Sequence, residues 1–215
     1  VGTNSVKLLV ADVCGREVRP VGETSRQTRL GRGFYETQRL QADAIARTAE
    51  AVAEFARVAR EDNAVSVRVF ATSAAGDAVN ADELTSAITR ASELKVEIIS
   101  GEQEAEWAFR GVTSDTDLAQ APLLLLDVGG GSTEFILGQG DQTHFAHSFP
   151  LGTVRMLEKF PHSDPPTTGE FAACRDWLKK FLQTEVRPKL EPALKRETRL
   201  HPKSGDMQLV GTGGT

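Results

Sequence analysis

Cysteine is scarce: Cys14 and Cys174 are the only two in 215 residues, too few and too far apart for a disulfide framework or a cysteine-based zinc site. The four histidines show no ligand spacing either, so zinc and redox chemistry drop out. Long apolar runs are missing. The longest, residues 122–126, falls far short of the ~18 residues a membrane helix needs, and no charged-then-apolar leader opens the sequence. A cytoplasmic protein is expected. An excess of positive charge is absent as well: 25 Lys+Arg stand against 30 Asp+Glu, a net of −5. That balance argues against a dedicated nucleic-acid binder but leaves room for a small polyanion held by local donors. What is present, 40% hydrophobic and 26% charged residues, is the composition of an ordinary globular chain.

Both ends read as interrupted. Val1 to Ser5 looks like the turn after a strand whose first half lies upstream, and residues 208–210 look like a short strand running into a glycine turn, Gly211 to Thr215. Between them, residues 6–11 are apolar and β-prone, and Asp12 to Arg16 with Gly15 predicts a turn into a second strand. Leu40, Ala44, Ile45, Ala49, Val52, Phe55, Ala56 and Ala59 recur at helical spacing, which predicts one long amphipathic helix over 35–59. Val65, Val67 and Val69 alternate with polar residues as in a half-buried strand. Asn80 and Glu83 predict a capped helix start, as do Ser100 with Gln103 and Thr167 with Glu170. Residues 123–128 are apolar enough for a strand buried on both faces. Gly140-Asp141 predicts a hairpin turn and residues 144–149 its return strand. A helix follows over 153–160, then a longer one that Pro188 and Pro192 should break. Strand and helix alternate as a parallel α/β sheet requires. Residues 171–203 hold nine Lys/Arg and four Asp/Glu; a solvated helix face is the reading preferred over a polyanion surface.

The informative feature is an internal repeat. Residues 1–10 laid over residues 128–137 match Val1 with Val128, Gly2 with Gly129 and Ser5 with Ser132 without gaps, 127 positions apart. That interval is too long for a solenoid and points to duplicated lobes, 1–120 and 121–215. Glycine removes the Cβ that would block close approach, so each Gly/Ser turn can gather backbone N–H groups into an anion nest, and phosphate is the natural ligand. The repeat also predicts an aspartate before Val1, as Asp127 precedes Val128. A carboxylate at the end of a buried strand is costly unless paired or bound to a cation. Beside a phosphate nest Mg²⁺ fits, because it takes one or two carboxylates plus substrate oxygens, and Glu134 could supply the second carboxylate.

At this point the residues resemble a known family, the exopolyphosphatase and guanosine pentaphosphate phosphohydrolase family. The matching stretches are Gly2-Thr3-Asn4-Ser5, Ala71 to Ala74 running on to Asn80, Ile99-Ser100-Gly101 with Glu104-Ala105, Asp127 to Glu134, Leu151-Gly152, and Gly211 to Gly214. The resemblance implies the α/β actin-like (ribonuclease H-like) duplicated two-lobed fold. It implies Glu104 as general base, which helical periodicity alone does not distinguish from Glu102 or Glu106. It implies Asp127 and Glu134 as holders of Mg²⁺ or another divalent cation. Asn4, Ser5, Thr72, Ser73, Gly130, Gly131, Ser132, Gly211, Thr212 and Gly213 are the implied phosphate contacts. The expected partner is polyphosphate or guanosine polyphosphate as substrate, with no nucleic acid, no membrane, and a homodimer as the assembly to test.

Two positions depart from the family pattern. Gly76 and Glu106 stand where members often carry arginine, and an arginine fork to phosphate is a strong charge-assisted contact; Arg32, Arg68 and Arg110 are the candidates to compensate. The leading expectation is hydrolysis of terminal phosphoanhydrides. A non-catalytic sensor of the same anions and an ATP-dependent kinase of the same fold are the alternatives.

Overall fold

Alternation organises the first strand. β1 (Ser5–Cys14) buries Val6 and Val10 and exposes Lys7 and Leu9, the two-residue period of a half-buried strand. It pairs antiparallel with β2 (Glu17–Gln27), Ser5 opposite Gln27, with a register slip at Val10/Ala11. This is a computed structural model, and it describes residues 1–15, 17–200 and 207–213, position 200 in its backbone only. The predicted turn over Asp12 to Arg16 is thus seen as far as Gly15, whose φ of +62° glycine adopts at little cost; Arg16 lies outside the described residues.

The single helix expected over 35–59 is two, α1 (Phe34–Thr37) and α2 (Ala42–Glu61). The cause is a distant side chain. Leu40 N donates to Asn80 Oδ1 at 2.9 Å and Asn80 Nδ2 donates back to Leu40 O at 3.1 Å, so both polar groups of Leu40 are held outside a helical ladder while its side chain is buried. Three short elements follow: β3 (Val69–Ala71), α3 (Ala74–Asp77) and, after α4 (Ala81–Ser92), β4 (Val96–Ile98). The strand expected from Val65 begins only at Val69, and Val65 is fully exposed. Asn80 makes no capping bond to α4; its expected role as an N-cap is replaced by the clamp on Leu40 and a 3.2 Å bond to Glu83. β3 and β4 are parallel, and Val1 flanks β3 through its amino group to Phe70 O and its carbonyl to Thr72 N. The apolar stripe of α2 (Ile45, Val52, Phe55) packs with Leu84 and Ile88 of α4.

Residues Val1–Ser100 make one compact unit and Gly101–Thr215 another. The second contains α5 (Gly101–Val112), α6 (Thr116–Ala119) and a sheet of β5 (Leu123–Val128), β6 (Thr133–Gln139), β7 (Gln142–Phe149) and β8 (Gln208–Gly213), in the order β7-β6-β5-β8. α7 (Thr153–Lys159), α8 (Thr168–Phe181) and α9 (Arg187–Leu200) complete it. As its unbroken apolar run requires, β5 is buried on both faces: Leu123 and Leu125 pack with Phe109 and Ile136, while Leu124 and Leu126 pack with Phe135 and Phe149. By packing, α5 belongs here, because Ala105 and Phe109 have no exposed surface against this sheet. The unit boundary is therefore at 100/101 rather than the expected 120/121.

Two further expectations are corrected. Gly211 to Gly213 do not turn but continue β8, paired in parallel with Leu126, Asp127 and Val128; Gly214 and Thr215 lie outside the described residues. Nor do Pro188 and Pro192 end the long helix. A wide turn, Leu182–Val186, joins α8 to α9, and its i→i+5 spacing loosens the ladder just ahead of Pro188, where a regular helix would meet the proline ring. α9 is tied to β7 by a 2.9 Å contact between His144 Nδ1 and the buried Glu197 carboxylate. Among the described residues no helix is long and apolar enough to cross a membrane.

The predicted Thr167/Glu170 capping box forms, with Thr167 N donating to Glu170 Oε2 at 2.7 Å and Glu170 N donating to Thr167 Oγ1 at 3.2 Å. These bonds and those from Ser163 favour the charged form and lower the Glu170 carboxyl from 4.5 to about 2. A depressed carboxyl stabilises the fold above its unfolded value and loses that contribution as pH falls through its folded value. The stability difference between the protein and Glu170→Gln, followed by urea unfolding, should thus be constant at neutral pH and vanish between pH 4.5 and 2.

Candidate functional site

The chain between β5 and β6 is a tight loop closed by Gly129 N donating to Ser132 O at 2.9 Å. The carbonyls of its three glycines are engaged by the start of α7. Gly129 O accepts from Thr153 N at 3.0 Å, Gly130 O from Val154 N at 2.9 Å and Arg155 N at 3.1 Å, and Gly131 O from Arg155 Nε at 2.9 Å. A peptide unit whose carbonyl is held on one side presents its N–H to the other, so the amides of Gly130, Gly131 and Ser132 form the kind of concavity that binds anions. Gly152 makes this packing possible: a Cβ there would overlap the carbonyl of Gly130.

Two carboxylates stand at the mouth of the loop. Asp127 and Glu134 are direct partners across the β5–β6 ladder, so their side chains share one face. Glu134 is 2% exposed and accepts from Ser148 Oγ at 2.6 Å. Burial pushes its carboxyl up, opposed by hydrogen bonds from Ser148 and Ser132, and the nearby Asp127 adds to the rise. Asp127 in turn lies beside Thr212 of β8, and a Cβ on Gly213 would come within 2.5 Å of Asp127 Oδ1. With φ +87° as well, position 213 is closed to other residues on both counts. Among the described residues no group of three or more His, Cys, Asp and Glu could enclose a metal ion. A pair of carboxylates is a donor set that suits Mg²⁺, which keeps waters and takes further oxygens from a substrate.

Sequence periodicity left three glutamates on α5 equivalent; the structure separates them. Glu102 is exposed, while Glu104 and Glu106 are both half-buried on either side of the fully buried Ala105, and Glu106 is bound to Arg110 at 2.6 Å.

The first unit repeats the closure of the loop, with different donors to its carbonyls. Gly2 N donates to Ser5 O at 2.9 Å, the same closure as Gly129 with Ser132. Thr3 O accepts from Gly31 N at 2.8 Å, and Asn4 O from Thr28 N and Arg29 N at 3.1 and 2.9 Å. A Cβ on Gly31 would overlap the Thr3 side chain, so Leu30-Gly31 seats this loop as Leu151-Gly152 seats the other. Thr72 adjoins the loop through Val1 O, and Ser73 holds φ +30°, a strained conformation for a residue with a side chain.

The structure thus gathers Asn4, Ser5, Thr72 and Ser73 in one unit and Asp127, Gly130, Gly131, Ser132, Glu134, Gly211, Thr212 and Gly213 in the other. Arg32, Arg68 and Arg110 are each bound to a carboxylate, Asp43, Glu97 and Glu106, and do not stand as spare cations. Sequence reasoning missed Arg155, Leu30 and Gly31. The second Leu-Gly pair was a signal that could have found the first; nothing local marks Arg155, which reaches the loop only through the fold.

With this geometry in place, similarity to known proteins is informative. The sequence profile of the Ppx/GppA phosphatase family matches residues 9–205. Exopolyphosphatase 2 of Mycobacterium tuberculosis is 39% identical over 226 residues, spanning 100% of this chain and 66% of that protein. A guanosine-5'-triphosphate,3'-diphosphate pyrophosphatase of Photobacterium profundum is 29% identical, spanning 100% of this chain and 40% of its own length. Among solved structures, an exopolyphosphatase from Cytophaga hutchinsonii superposes with a TM-score of 0.82 at 25% identity, covering 99% of this chain and 64% of that one. The Aquifex aeolicus PPX-GPPA enzyme gives 0.70 at 31%, covering 100% and 66%. The chain therefore spans about two thirds or less of the relatives it matches. The fold is the actin-like α/β class expected from the sequence.

The Gly152 seat can be tested directly. Gly152→Ala must displace the Gly130 backbone, an overpacking that should cost about 1–3 kcal/mol, read as a lowered urea midpoint with unchanged slope.

Proposed function

Because the chain belongs to the Ppx/GppA phosphatase family, we propose that it forms the catalytic core of a phosphoanhydride hydrolase that releases terminal phosphate from inorganic polyphosphate, guanosine pentaphosphate or both. The observation that carries this reading is the Asp127/Glu134 pair set across one ladder beside a loop whose three glycine carbonyls are turned to α7. Cytoplasmic location and a divalent cation, Mg²⁺ first, belong to the same proposal.

The chemistry asks little covalent work of the protein and much positioning. The amides of Gly130, Gly131 and Ser132 receive the phosphate oxygens and hold the terminal phosphorus in place. Asp127 and Glu134 are the residues that would hold the cation, which when bound neutralises the charge developing on the phosphates. Glu104 accepts a proton from water as the water oxygen bonds to the terminal phosphorus and the bridging P–O bond breaks. The shortened phosphate chain leaves with the electron pair of that bond. Glu106, two residues on, is paired with Arg110, so it is Glu104 that the family resemblance and the ion pairing together favour for this role.

A second reading, a non-catalytic binder of the same anions, is favoured by one observation. Gly76 and Glu106 supply no cation, and Arg32, Arg68 and Arg110 are each spent on a carboxylate. Phosphate release decides between the two. With polyphosphate and Mg²⁺, Glu104→Gln should lower kcat by ~10²–10⁴, the usual contribution of a general base, with KM little changed. Binding of polyphosphate without release, identical in the substituted and unsubstituted proteins, would establish the binder instead.

A further inference from the structure

Ser148 occupies a position that neither the loop nor the acid pair explains. It lies on β7 directly opposite Glu134, and its hydroxyl donates to Glu134 Oε1 at 2.6 Å. The same residue also meets the start of α5. A Cβ placed on Gly101 would lie 2.8 Å from Ser148 Cβ and 3.1 Å from its Oγ. Gly101 does not have the positive φ that would demand glycine, so space against Ser148 is what excludes a side chain there. One serine therefore touches both the buried carboxylate and the first residue of the helix that carries Glu104.

The energetics make the link consequential. Glu134 is 2% exposed, and a buried carboxylate needs its donors. Ser132 and Ser148 are the two side chains that donate to it. Ser132 belongs to the loop, whereas Ser148 sits on the neighbouring strand β7, so Ser148 is the donor that joins the Glu134 side chain to the next strand of the sheet.

We propose that Ser148 is a positioning residue: its hydroxyl aims Glu134 alongside Asp127 while its Cβ sets where α5 begins, so that the cation-holding pair and Glu104 are placed relative to one another through one side chain. This rests on the roles given above to Asp127, Glu134 and Glu104. Loss of an outer partner of a ligating carboxylate weakens metal binding by roughly 10–100-fold. Ser148→Ala should thus raise the Mn²⁺ dissociation constant by about tenfold or more, measured by electron paramagnetic resonance without substrate. Phosphate release by the same variant should recover toward the original kcat as Mg²⁺ is raised. Gly101→Ala, which crowds Ser148 and shifts the helix start, should lower kcat at saturating Mg²⁺ as well. Because alanine is otherwise the better helix residue, a loss of function there without a loss of helicity reports displacement rather than unfolding. A Ser148→Ala protein with Mn²⁺ affinity within about twofold of the original, set against the tenfold expectation, overturns the proposal. If the unsubstituted protein takes up no Mn²⁺, the cation role of Asp127 and Glu134 fails first and the proposal fails with it.

Discussion

The loop after β5 is held by its own carbonyls. Three consecutive peptide oxygens, those of Gly129, Gly130 and Gly131, are committed to the backbone of Thr153, Val154 and Arg155 and to the Arg155 guanidinium, and the corresponding N–H groups are thereby turned the opposite way. Everything else about the site follows from keeping that loop still. Gly152 must lack a Cβ so that α7 can come close, Leu151 must be buried to anchor it, and Thr133 bonds back to Leu151 O. The arrangement fixes the orientation of these peptide dipoles.

The duplication is a duplication of this device and not only of a string of letters. Gly2 to Ser5 and Gly129 to Ser132 close with the same hydrogen bond of the same length, 2.9 Å, and each is seated on a Leu-Gly step that follows the return strand of its hairpin. The copies then diverge in chemistry. The second carries the carboxylates, Asp127 and Glu134, at neighbouring ladder positions. The first has Lys7 where the second has Glu134, and its adjoining segment stores a strained Ser73.

Arginine use gives the protein its electrostatic character. Ion pairs on exposed side chains contribute little to stability, yet each here removes a cation from other duty: Arg32 to Asp43, Arg68 to Glu97, Arg110 to Glu106. Arg155 instead acts on backbone, the Gly131 carbonyl, and does so part-buried.

Period and glycine placement determined much of this from the sequence: the buried strand 123–128, the hairpin at Gly140, the capping box at Thr167 and the two Gly/Ser turns are local patterns whose physics is complete within a few residues. Asp127 and Glu134 could be singled out as candidates, but their facing each other is set by the β5–β6 register. Tertiary structure decided the rest, for a common reason: contacts between residues far apart overrode local preference. Asn80, forty positions away, breaks the helix that periodicity ran through Leu40. β5 supplies the hydrogen bonds that make Gly211 to Gly213 a strand instead of a turn. Burial against the second sheet assigned α5 to its unit, and a contact with Arg110 set Glu106 apart from the glutamates that helical spacing alone treats alike.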